Sequence, residues 1–363
     1  MRSIPGIAAY FTLRAPSPPV AQASSGPARS GIYAAAATLA ALLSISAPAH
    51  SGLTLTTAGV NLGFTATTFV SGLADVITEG PFGLALTGNG SVLVSDFASS
   101  SRYVFADVDN QTPANALFTL SSGSGAQGYA SGVGAAYGGN GANFVRFNDN
   151  GSEAALLVPG VTPRLGMAAD PASGHLIATS SRGLIDIDPV ANSFRVIRAT
   201  LASDADGVSL SPDGSVAYVG LFSGGHVIGY RVADGSIAFD SGNIGHFPDG
   251  TGVIGSSNSL NGKIIVNGED GSVGLIDPNG APGNYLLIAQ NVGQRGDYVA
   301  ADRSNGSLLL DYSTEVDRLA CGPNCAIGGV PPVAAVPEPE AYASMLAGLA
   351  LLTLTLGRRR QAR

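Results

Sequence analysis

The sequence predicts an all-β body, a six-bladed β-propeller of four-stranded blades, flanked by an N-terminal signal helix and a C-terminal transmembrane helix. Three observations carry this. A unit of four short apolar stretches separated by glycine-rich turns recurs every 41 to 45 residues. The 363-residue chain has 50 glycines, no tryptophan and only 12% charged residues, too glycine-rich for a helical bundle and too apolar for disorder. The two ends read as targeting segments, unlike the middle. The organisation expected is a signal peptide over 1–49, the propeller over 50–326, a Pro-rich spacer over 327–340, and an apolar helix with a basic tail over 341–363.

The best-preserved unit is Asp206 to Val219, in which Gly207-Val208-Ser209-Leu210 and Val216-Ala217-Tyr218-Val219 flank the turn Ser211-Pro212-Asp213-Gly214. Hairpin turns of this kind need a residue at positive φ, which glycine supplies without steric cost. Glycines at 166, 207, 252 and 296 open the first strand of successive units, spaced 41, 45 and 44 residues apart. Turns after the third strand fall at 110, 151, 192, 235 and 280, spaced 41, 41, 43 and 45. Two independent markers thus give one period. First strands are expected near 83, 125, 166, 207, 252 and 296. The second unit has no clear first strand, and its glycine-rich run from Gly132 to Gly141 reads as a loop. The sixth lacks a fourth strand. Phe64 to Val70 alternates with period two, and it is expected to complete the last blade from outside, with Tyr312 to Ala320 as that blade's third strand.

Between residues 50 and 336 stand ten arginines and one lysine against 24 acids. Such a body repels phosphate backbones, so no nucleic-acid partner is expected. Arg2, Arg14 and Arg29 precede an apolar run from Ile32 to Ile45, and Ala47-Pro48-Ala49 follows, the order of a secretory signal peptide. At the other end Pro337-Glu338-Pro339 precedes an uncharged stretch from Ala341 to Leu356 and then Arg358-Arg359-Arg360. These three parts resemble the PEP-CTERM sorting signal. The resemblance implies an exported protein held in the membrane by its C-terminal helix, then sorted by an exosortase to the cell surface or beyond. Export also favours a local disulfide between Cys321 and Cys325, which flank the turn Gly322-Pro323-Asn324.

The body resembles NHL-type and gluconolactonase-type six-bladed propellers, the latter including the senescence-marker lactonases. Glu79-Gly80-Pro81 looks like the opening of that family's first blade, Asp206-Gly207-Val208-Ser209-Leu210-Ser211-Pro212-Asp213-Gly214 like its Asn-Gly-Leu-x-x-Ser-Pro-Asp-Gly, and Pro248-Asp249-Gly250 like its Pro-Asp-Gly. The resemblance implies a divalent cation such as Ca²⁺ held by Glu79, Asp206 and Asp249, with Asp249 also the catalytic base. Asp297 is a fourth candidate ligand. The departure is in blade three, where Arg164 and Leu165 occupy the place of the remaining ligand. The alternative for each acid is a turn residue, since Asp-Gly is common turn vocabulary. Asp186 and Asp188 read as surface acids, and the four histidines show no zinc spacing.

Two functions follow. The first is an envelope or matrix binding module, with exopolysaccharide or an envelope protein as partner. The alternative is a metal-dependent lactonase or esterase-like hydrolase using the propeller channel.

Overall fold

In a computed structural model of the chain, residues 52–75, 80–121, 128–132 and 134–328 are described. The expected signal segment, the sorting motif with its arginines, the apolar tail and Glu79 lie outside the described residues. Among the described residues no helix is long and apolar enough to cross a membrane.

The described strands form six antiparallel sheets, one per repeat. The innermost strands are Pro81–Leu86, Tyr129–Gly132, Pro163–Ala169, Ala205–Leu210, Pro248–Ser256 and Gly296–Asp302. Each adjoins the innermost strand of the next blade, and the last adjoins the first, so the ring closes. Apolar side chains fill the wedges between blades. Ile177 and Leu184 of blade three, for example, pack with Val208, Ala217 and Val219 of blade four. The model hairpin of blade four forms as its turn requires: Gly214 has φ 72° and donates to the Ser211 carbonyl at 2.8 Å.

The ring closes where alternation placed it. Thr65–Ser71 pairs with Glu315–Ala320 as the outermost strand of blade six, Thr65 opposite Ala320. Two further additions were not expected. Thr54–Leu55 pairs with Leu286–Gln290 as a fifth strand on blade five. Cys325–Ile327 pairs with the far end of Pro248–Ser256. That second partner explains why the first strand of blade five is longer than its counterparts. The Cys321–Cys325 disulfide is formed and closes the turn leading into Cys325–Ile327.

Blade two corrects the sequence reading. Its glycine-rich run is two strands, Tyr129–Gly132 and Ala135–Gly139, and not a loop. The glycines make room for rings: a Cβ at Gly138 would strike the Tyr129 ring, and one at Gly132 the Tyr137 ring. Asp186 is also corrected. It is buried between His175, whose Nδ1 lies 2.8 Å from Oδ1, and Arg195, whose Nη2 lies 2.8 Å from Oδ2.

Candidate functional site

Innermost strands crowd at the axis of a propeller, and the crowding fixes where these acids sit. A Cβ at Gly166 would strike the Asp206 carbonyl oxygen, one at Gly207 the Asp249 carbonyl, and one at Gly250 the Asp297 carbonyl. Asp206, Asp249 and Asp297 therefore hold the same place in blades four, five and six. In blade three that place belongs to Leu165, whose carbonyl faces Gly128 of blade two.

The acids act on one another. Burial pushes the Asp206 carboxyl up to about 7, against the opposing pull of a hydrogen bond from Asp249 and of the Arg295 charge. Burial raises Asp249 well above the usual carboxylate range, and the charges of Asp297, Asp206 and Asp311 add to it. Oδ1 of Asp206 and Oδ1 of Asp249 are buried without a hydrogen-bond partner. Asp297 is partly exposed, and its charge acts on both Asp249 and Asp311.

Four further residues join the site. Asp311, fully buried on the second strand of blade six, is raised by burial and by Asp297. Asn267 donates through Nδ2 to the Asp311 carbonyl at 3.2 Å. Arg295 pairs with Glu269 and brings the positive charge felt by Asp206 and Asp249. Sequence reasoning missed all four. A usable signal existed for two of them: Asp311 ends the run Leu308-Leu309-Leu310, and Asn267 ends Ile264-Ile265-Val266, and a polar residue inside a buried apolar strand calls for a reason.

Tyr298 forms the floor. In blade six it takes the position that Gly166, Gly207 and Gly250 hold in the blades before it. Its buried hydroxyl, with one proton to donate, lies against the Met167 carbonyl at 2.8 Å and the Tyr129 carbonyl, which belong to blades three and two across the ring. The ring thereby bars the channel below the carboxyls.

A divalent cation was expected here. Among the described residues no three His, Cys, Asp or Glu groups are placed to hold one metal ion. The orphaned oxygens of Asp206 and Asp249 would suit a hard cation, which takes about six to eight oxygens. Leu165 offers none, and Arg295 already brings positive charge to the group. The described residues do not by themselves complete a cation site. Nearby, Asp270, His246 and Ser272 have the residue types of a hydrolytic triad without its geometry. Ser272 Oγ and Asp270 Oδ2 both meet His246 Nδ1, at 3.1 and 2.7 Å, whereas a relay needs them on opposite nitrogens.

No protein-family model matches the chain, and no curated protein matches it. Solved structures do. A gluconolactonase from Xanthomonas campestris aligns with a TM-score of 0.56 at 13% identity, over 74% of this chain and 94% of that one. A structural-genomics target with a provisional gluconolactonase assignment aligns at 0.56 and 15% identity, over 77% and 99%. A luciferin-regenerating enzyme aligns at 0.53 and 12% identity, over 74% and 99%. At such identities the likeness is one of fold: the chain is a six-bladed propeller of the gluconolactonase-like architecture.

Proposed function

We propose that the chain is a hydrolase of the lactone or ester class, with its reaction centre at Asp206 and Asp249 in the channel mouth. The observation that carries this is a pair of buried carboxyls, Asp206 and Asp249, at the same place on neighbouring blades, each with an oxygen left without a partner and each raised by burial. The fold's likeness to gluconolactonases supports the same reading.

Such a pair divides the work of acyl hydrolysis. Ionised Asp206 takes a proton from water as the water oxygen attacks the acyl carbon. Asp249 stays protonated and gives its proton to the ring oxygen as the C–O bond breaks. The proton on Asp206 then passes back to Asp249, and a hydroxy acid leaves. Arg295 supplies positive potential for the oxyanion formed between these events. Asp297, partly exposed, and Tyr298, as floor, set where a substrate can stand.

The test is hydrolysis of a δ-lactone by the full chain, followed by pH-stat. The rate should rise through an apparent pKa of about 7 as Asp206 ionises. Asp206→Asn should lower kcat about 100-fold or more and remove that limb. An unchanged profile in the variant would end this assignment. Calcium belongs to the same test. A calcium-dependent rise in Tm that Asp206→Ala abolishes would mean that groups beyond the described residues, Glu79 first, complete a cation site.

The binding-module reading keeps one observation in its favour, Leu165 at the place of a ligand. The ends support a further proposal: export, membrane anchoring through the C-terminal helix, and sorting by exosortase-type machinery at Pro337-Glu338-Pro339 to the cell surface. Cell fractionation of the chain with and without residues 337–363 tests it.

A further inference from the structure

The channel has a second chamber on the far side of Tyr298. Its walls come from the later halves of the innermost strands, among them Met167, Val208, Leu210, Val253 and Val299. It encloses a space of about 60 Å³. One hydroxyl pair, Ser209 to Thr251 at 2.9 Å, is satisfied within the wall.

Arg303 is the one charged residue among those that line it. It follows the innermost strand of blade six and reaches across to blade three, where Nη2 donates to the Ala169 carbonyl at 2.6 Å. Its Nε is buried without a hydrogen-bond partner. Burial depresses its pKa, and the one acid acting against that is Asp170. Asp170 is engaged elsewhere, accepting from the Ala172 N–H at 2.9 Å and the Ser173 hydroxyl at 2.6 Å. A guanidinium left with an unused N–H and no other charge in the lining lacks a planar anionic partner.

We propose that this chamber binds a small organic carboxylate, its carboxylate on Arg303 and its apolar body against Val208, Leu210 and Val253. The ligand carries a single charge, because a phosphate would face one guanidinium with no second cation among the lining residues. The space admits a body of a few carbons, and Tyr298 separates it from the acids of the other mouth.

The experiment is titration calorimetry of the full chain with propionate, butyrate and isobutyrate, each beside its neutral amide. At least one carboxylate should bind saturably, one per chain, and at least tenfold more tightly than its amide. Arg303→Gln should weaken that binding at least tenfold. Val208→Phe, which keeps Arg303 and fills the chamber, should abolish it, while Asp249→Asn at the other mouth should leave it unchanged. Absence of saturable binding by all three carboxylates to the wild type overturns the proposal. So does an amide that binds as tightly as its acid, or wild-type affinity in both Arg303→Gln and Val208→Phe.

Discussion

Arg318 shows what one side chain does at the seam of this ring. Its guanidinium donates to Asp302, to Asp107 at 2.5 Å, to Asp109 at 2.8 Å and to the Ser307 hydroxyl at 2.8 Å, and it lies over the Phe69 ring. These partners come from blade one, blade six and the closing strand. Removing the cation leaves acids facing one another, with Asp302 fully buried. Arg318→Met should therefore cost about 3–5 kcal/mol by urea unfolding, the range for breaking a buried pair from one side. None of this was legible in the sequence, because Asp107 and Asp109 stand far from Arg318 until the ring closes. The channel-mouth aspartates were more legible, since each precedes a strand start in a repeat of known period. What the repeat could not convey was their mutual burial, which depends on how tightly neighbouring strands approach, nor the arrival of Asp311 and Arg295 from elsewhere in blade six.

At the scale of the strand, the glycines at the axis matter for what they lack. A Cβ at Gly207 would sit inside contact distance of the Asp249 carbonyl and close to the Gly250 Cα and the Thr251 nitrogen. Backbone atoms cannot rotate away as a side chain can. Gly207→Ala should thus force blades four and five apart, costing at least about 2 kcal/mol by chemical unfolding. It should also separate the Asp206 and Asp249 carboxyls, so the proposed lactone hydrolysis should fall in the fraction still folded. Most strands were legible, since period-two apolar runs between turn residues have few other readings. Blade two was not, because glycine in a sequence signals a turn. Here it signals a tyrosine ring lying flat on the strand, a fact held by Tyr129 and Tyr137 and not by the glycines themselves.

Across the whole molecule the buried acids set a common pH response. Asp206 and Asp317 are each raised to about 7, and Asp249 and Asp311 are raised well above the usual carboxylate range, all chiefly by burial. A carboxyl whose folded pKa lies above its unfolded value binds more protons when folded. Its contribution to stability is complete below about pH 4 and is lost as pH climbs through 7. Asp188, Asp213 and Asp234 are lowered instead, by hydrogen bonds from backbone N–H groups and serine hydroxyls, but they are exposed, so their opposing loss below pH 4 is screened and small. Thermal melting should show a maximum near pH 4–5 and a fall of about 5 °C or more by pH 8. A Tm that rises over that interval would mean that a bound cation neutralises the acids at neutral pH. The joining of Thr65–Ser71 to Glu315–Ala320 has a consequence in time as well as in space. The last blade cannot be finished until the end of the body has left the ribosome, by which point its partner strand has waited through five blades of synthesis. Closing so long a loop is slow and costly in entropy. A shortened chain would keep an open sheet edge on that blade, ready to pair with another chain. The closed ring therefore forms only from molecules made to the end, and truncated ones should be found as aggregates or as fragments cut by proteases.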